Sequence, residues 1–345
     1  MAILVLSSSQ LGRGRGPGSS IPPSALALLV GVLLLQLGFI FSYVAAFHDP
    51  HPHNIPIAVL APEPVASRVV TEINASAGHV GHASVATSAT AAQRQLESGA
   101  ISAALLVNPH GRTDRLLYAE AGGASVASAV QEIATRAEAS QHRRVTFTDV
   151  VPLQPGDGRG LTGFYLVIGW VVGGYLMAAA LGTVLGPHPA SRRLAELRLA
   201  TIVPYALLSG LFGVLIVEQL LHALSGHFLE LWGLGTLVVA AAAAATMAVE
   251  ALIGVAGIGV IVLAFVILGN PSAGGAYQTT MLPGFWRAIS GWLPNGAGTD
   301  SVRRIVYFGS HGVTGHLLVL AVYVVVGAGI TLARSPAIRG GFRGH

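Results

Sequence analysis

LELWGLGTLVVAAAAAATMAVEALIGVAGIGVIVLAFVILG, residues 229–269, carries only two charged side chains, Glu230 and Glu250. A helix needs about 20 apolar residues to cross the hydrocarbon core of a bilayer, and this run is twice that length. It reads as two spans joined by a very tight turn. Glu250 divides it, with Met247 before and Gly254 after. Outward from it, 25–47, 161–185 and 200–223 each supply one more span, and about 315–333 supplies the last. The sequence therefore predicts six spans.

The composition agrees. The 345 residues are 52% hydrophobic and only 10% charged, where a soluble domain carries roughly 25% charged residues. There is no cysteine, which excludes disulfides, thiolate metal sites and cysteine nucleophiles. There is no lysine either, so all 19 basic residues are arginine. A Walker A loop needs a Gly-Lys pair to hold phosphates. Any ATP that drives this protein is thus expected on another polypeptide, with no cofactor in this chain. The net charge of +4 does not point to nucleic acid, because the arginines sit in short segments beside the spans. No G-x-S-x-G elbow occurs, which argues against hydrolase chemistry.

Arginine placement sets the orientation, since cytoplasmic segments are enriched in basic residues. Arg13 and Arg15 precede the first span; Arg192, Arg193 and Arg198 lie between the second and third; Arg334, Arg339 and Arg343 follow the sixth. Six spans put all three segments on one side. The expected organisation is a cytoplasmic segment 1–24, a first helix 25–47, an extracytoplasmic domain 48–160, a five-helix membrane domain 161–335 and a cytoplasmic tail 336–345. Val44-Ala45-Ala46 resembles a signal-peptide cleavage site, but the apolar core before it is too long for one.

Residues 48–160 alternate strand-like and helix-like patterns. Strands are expected at Ile57–Leu60, Val80–Val85, Ile101–Val107, Leu116–Ala119 and Val145–Val151. Helices are expected at Val65–Asn74, Ala91–Ser98 and Ser125–Ala139, the last with Val126, Val130 and Ile133 inward. The alternation predicts a small α/β domain. The predicted fold class is an α-helical polytopic membrane protein of six transmembrane helices, with this extracytoplasmic α/β domain between helices 1 and 2.

Several residues invite a functional role. Between the last two spans, Gly274 and Gly275 permit sharp backbone reversal, and Pro271, Pro283 and Pro294 break helices at intervals. Trp286, Trp292 and Tyr307 suit a membrane interface. Irregular backbone at membrane depth survives only when protein or a water-filled cavity surrounds it. An external re-entrant region at 270–312, with Asn270, Arg303 and Arg304, therefore either caps a translocation path or merely shields the bundle. Glu218 and His222 lie four apart near the end of the third span, with His227 and Glu230 following. They read as a structural hydrogen-bonded cluster, with a proton or substrate site as the alternative. Glu250 either caps the helix after it or contacts a partner. The histidines His48, His51 and His53, with Asp49, read as a solvated linker rather than a metal site. The small residues of 241–246, with Gly254, Gly257 and Gly259, indicate close helix packing, within the bundle or across a dimer.

Two stretches carry a family resemblance. AAQRQLESGAISAALLVNPHG (91–111) is similar to the external segment of ABC-2-type exporter permeases, where a helix ends at L-x-x-G, a strand follows and a Pro-x-Gly turn closes it. NPSAGGAYQTTMLPGFWRAISGWLPNGAGTDSVRRIVYFG (270–309) resembles the external region of the phage-infection-protein (YhgE/Pip) branch and related actinobacterial permeases. The resemblance implies a bacterial plasma-membrane permease that is embedded in lipid and works as a homodimer or beside a homologous permease. It also implies a cytoplasmic ATP-binding-cassette ATPase as partner, coupled through the loop of Arg192, Arg193 and Glu196. The expected cargo is amphiphilic or envelope-related. No catalytic residue is carried over. The same branch also implies a rival, a non-transporting envelope scaffold that binds a partner through its external domain.

Overall fold

The computed structural model describes residues 23–75 and 79–336. Arg13, Arg15, Arg339 and Arg343 lie outside the described residues, with most of segments 1–24 and 336–345. Helix α1 (Pro23–Phe47) leads into β1 (Ile55–Leu60), α2 (Val65–Asn74), β2 (Gly81–Val85), α3 (Ala89–Glu97), β3 (Ala103–Leu106), β4 (Thr113–Tyr118), α4 (Ala124–Ser140) and β5 (Arg144–Asp149). Then follow α5 (Thr162–Leu185), α6 (Arg192–Val214), α7 (Phe228–Ile253), α8 (Ala256–Ile261), α9 (Gly269–Ser272), α10 (Gly284–Ser290), α11 (Pro294–Tyr307) and α12 (Thr314–Ala333). A π-helical turn, Leu215–Leu220, extends α6, and another, Val262–Leu268, joins α8 to α9.

Five helices are long and apolar enough to cross a membrane: Ala25–Phe47, Thr162–Leu185, Arg192–Leu220, Phe228–Ile253 and Thr314–Ala333. This architecture marks a multi-pass membrane protein. The expected fifth span is instead a shorter apolar helix, Ala256–Ser272. The long run also breaks later than expected. Gly254, with φ +69°, makes the reversal, a left-handed conformation that glycine adopts without a Cβ penalty. Glu250 lies inside α7, only 2% exposed. No side chain caps α8, so the expected capping role of Glu250 does not hold.

The bundle is organised around α7, which packs against α5, α6 and α12. Two thirds of its apolar window (67%) is buried, against 6% for α1. Ala241, Ala242, Ala243 and Ala244 are essentially inaccessible. The small-residue run thus serves packing within one chain. A Cβ on Gly174 of α5 would lie 2.5 Å from the Val239 carbonyl oxygen, and one on Gly327 of α12 would lie 2.6 Å from the Ala244 backbone. Backbones therefore touch where the alanines are. The outer surfaces stay apolar: Leu28, Phe41, Phe212 and Val325 are all exposed, as lipid-facing side chains must be.

The bundle has two distinct ends. The Arg192 amide donates to the Pro336 carbonyl at 3.2 Å, so the start of α6 meets the end of α12. At the other end Asp157 accepts from the Thr162 amide (2.9 Å) and from Tyr307 Oη (2.6 Å), beside the α/β lobe.

The lobe holds one five-stranded sheet, order β2-β1-β3-β4-β5. Strand β1 runs parallel to β2 and β3; β3 and β4 form an antiparallel hairpin; β5 is parallel to β4. All eight expected elements are present, with ends shifted by a few residues. Ser88 Oγ accepts from the Ala91 amide at 3.0 Å and starts α3. One sheet face packs Ala58, Ala104 and Leu117 against Ala92 and Leu96 of α3. The other packs Ile55, Ala103 and Leu116 against Val126 and Val130 of α4.

A charged triad closes one edge of that second face. Arg143 donates from Nε (2.6 Å) and Nη2 to the Asp114 carboxylate, and from Nη2 to the Asn108 carbonyl (3.0 Å). Burial would raise Asp114, but Arg143 and the Asn108 amide hold it below the usual carboxylate range. Burial, then the neighbouring Asp114, pushes Glu138 up to about 7 against the pull of Arg143. The sign for stability follows. As pH rises from the ordinary carboxylate value to about 7, the unfolded chain releases this proton first, so Glu138 lowers stability across that window. The melting temperature of Glu138→Gln minus that of the parent should grow between about pH 5 and pH 8. Thermal melting of the full chain in detergent measures this; a constant difference contradicts it.

Candidate functional site

Segment 270–312 joins every part of the molecule. The π turn at Val262–Leu268 and Pro271, which has no N–H, leave backbone carbonyls of this helix without their usual donors. Asn295, fully buried at the start of α11, supplies one. Its Nδ2 donates to the Phe265 carbonyl (2.9 Å) and to Asn270 Oδ1 (2.7 Å). Gly269 permits this approach, since a Cβ there would lie 2.5 Å from Asn295 Oδ1. Pro294 occupies the first turn of α11, where its missing N–H costs nothing.

After α9 the chain reverses at Gly274, whose φ is +74°, and Gly275 lies flat on the Phe164 ring, where a Cβ would clash. Arg303 Nη2 donates to the Gly274 carbonyl at 2.8 Å and fixes the turn to α11. Asp300 gathers the charges. Arg304 Nε (2.6 Å) and His316 Nε2 (2.9 Å) both reach its Oδ2, and Arg303 lies at 3.4 Å. Burial would raise Asp300, but His316, Arg303 and Arg304 together hold it well below the usual carboxylate range.

The segment also clasps the lobe. Phe308, 4% exposed, lies in the core under α3. Met281 lies in the core on the opposite sheet face. Gln278 contacts Ser125 Oγ and fills the space over Gly123. The His53 amide donates to the Thr280 carbonyl at 2.7 Å. Trp286 Nε1 donates to Ser42 Oγ of α1 at 3.2 Å, with Pro283 preceding its helix. Of the aromatics expected at a membrane interface, Trp286 is therefore packed inside protein, Tyr307 is half-buried and Trp292 is exposed. The cavity bounded by Asp157, Thr299, Arg303 and Tyr307 holds only about 10 Å³.

The other expected sites fare differently. Arg192 and Glu196 form an exposed pair at 3.3 Å, with Arg193 exposed beside them. They do not sit on a separate loop helix. Ser191 caps α6 through the Leu194 amide (3.2 Å), so they form the first turns of the third span. Arg198 is buried and donates to the Leu185 carbonyl at 2.7 Å, beside Glu250. Glu218, His222 and Glu230 are not brought together. Glu218 lies in a π turn that ends at Leu220, and His222 follows in a left-handed conformation (φ 51°). The shared helix face that spacing of four predicts therefore does not exist. Glu218 Oε1 instead accepts from the Gly226 amide at 3.0 Å. Among the described residues, no hydrogen bond or ion pair links these three, and no group of three His, Asp or Glu is placed to hold a metal.

Asn295, Phe308, Gln278 and Asp157 were not singled out from the sequence. Only Asn295 carried a signal, a polar residue directly after a helix-starting proline. No protein-family model matches the chain, and no curated protein matches it. Replacing Asn295 by Leu strands the Phe265 carbonyl and Asn270 at the centre of the protein. We expect a loss of about 2–3 kcal/mol, read as a lower melting temperature in detergent, with Asn295→Asp no better than Asn295→Leu, because it replaces the Nδ2 donor by a buried carboxylate oxygen facing two acceptors.

Proposed function

We propose that the chain is the membrane-spanning subunit of an ABC-2-type exporter of a bacterial plasma membrane. Its bundle polarity carries the reading: the lobe and segment 270–312 stand at one end, Arg192, Arg193 and Pro336 at the other. Under the positive-inside rule the arginine end is cytoplasmic and the lobe external. Ala256–Ser272 is then the fifth of six passes; it rises about 25 Å, somewhat less than the hydrocarbon core. The absence of lysine supports a separate ATPase. Closure of that ATPase pushes on Arg192, Arg193 and Glu196, which begin a helix running to the far end of the bundle. Two copies, or one copy and a homologue, form the path, and the cargo is an amphiphile.

One observation favours a second reading. Segment 270–312 is tightly packed and grips the lobe from both sheet faces, as a non-transporting envelope scaffold would require.

Tagged full-length protein, purified in mild detergent, should bring down a cassette ATPase. Vesicles holding both should expel a fluorescent amphiphile only with ATP. With neither result, the exporter reading falls and the scaffold stands. Sidedness has its own test, because the chain lacks cysteine. In intact cells Gln93→Cys should react with an impermeant maleimide and Pro336→Cys, exposed at the other end, should not until the cells are permeabilised; equal labelling in intact cells ends the six-pass arrangement.

A further inference from the structure

The second face of the sheet is incompletely covered. Helix α2 packs over β2 and the flank of β1, and α4 packs over β4 and β5. Between them the middle of the sheet lies open. The result is a groove of about 640 Å³, within the roughly 300–1,000 Å³ of small-molecule sites. Ile57 and Leu105 form its floor, Val65 and Val69 one wall, Ile133 and Ala137 the other. These helix positions carry the inward register of their amphipathic stripes, yet they are not sealed. Ile133 is 36% exposed although Val130 and Val126, one and two turns before it, are buried at 3% and 5%. Two apolar stripes thus face each other across an unfilled space.

One end of the groove is polar. Asp114, Glu138 and Arg143 line it. Arg143 directs Nε and Nη2 to Asp114 and the Asn108 carbonyl. Glu138 is only 7% exposed, and its Oε2 accepts no hydrogen bond, with Arg143 Nε the nearest cation at 3.5 Å. A buried carboxylate oxygen without a donor is costly, and this one lies beneath the cavity wall that Glu138 lines. Two carboxylates stand against one guanidinium, so the end has no surplus of positive charge. At the mouth Arg68 and Glu72 pair at 3.8 Å and cancel.

We infer that this groove binds an amphiphile whose apolar body lies between α2 and α4 and whose hydroxyl or amine donates to the Glu138 carboxylate at the polar end. The local charge selects against a carboxylate or phosphate head. The apolar floor and walls supply affinity through burial, and the single acceptor supplies orientation. The site lies wholly in the α/β lobe, so it stands or falls independently of export and of the ATPase.

The test uses the full-length chain in lipid nanodiscs, where an introduced cysteine is the only thiol. Val69→Cys reports the groove wall. Gln93→Cys, exposed on α3 behind the sheet, reports non-specific effects. Dodecylamine should slow maleimide labelling of Val69→Cys saturably and leave Gln93→Cys unchanged. Dodecanoate, with the same chain length, should need about tenfold more for equal protection, the worth of one charge-assisted hydrogen bond. Glu138→Leu should erase the preference for the amine. Ile133→Trp, at an exposed position that tolerates bulk, should fill the groove and abolish protection. Protection absent, equal at both cysteines, equal for both heads or unchanged in Ile133→Trp would overturn the inference.

Discussion

Contact with α7 is the constraint on which the helical part of this molecule rests. In a bilayer, apolar side chains gain little by leaving lipid for protein, so helices associate through close packing and buried hydrogen bonds. The alanines at 241–244 flatten one helix, and Gly174 and Gly327 flatten the neighbours opposite. Three helices can then approach the same backbone. Larger residues at these positions would push the helices apart and forfeit dispersion contacts along the whole interface. The remaining helices pack less deeply, and α1 is nearly bare.

The second organising device is polar. Segment 270–312 contains turns, prolines and two short helices, a poor design for apolar surroundings. It is tolerated because its backbone groups find partners: Asn295 serves the Phe265 carbonyl, Arg303 serves Gly274, and Arg304 serves the His311 carbonyl at 2.9 Å. Each of these donors comes from α11 or its first turn. That helix is therefore the template on which the irregular stretch is folded, and Asp300 balances the arginines that it needs.

Much of this was legible in the sequence. Hydropathy gave six spans, and five of them are long helices in the structure, because an apolar run of that length has few other uses. The lobe's alternating pattern located every strand and helix, with α2 placed to the residue. What failed did so for local reasons. The break at Gly254 rather than Glu250 depends on a left-handed glycine, and hydropathy does not weigh backbone freedom. Glu218 and His222 looked paired because a spacing of four presumes an α-helix, and a π turn removes that register. Ile133 looked buried because periodicity shows which way a side chain points, not whether anything covers it. The contacts of Asn295 and Phe308 join residues far apart in the chain, and a single sequence holds no record of such pairings.

Phe308 and Met281 enter the lobe from opposite faces of one sheet. A lobe hung from two peptide linkers would tumble about them. Gripped on both sides by a segment rooted in the bundle, this one loses that rotation. The open groove between α2 and α4 consequently keeps a fixed compass bearing relative to the helices. Whatever occupies it is therefore presented at a set angle to α11.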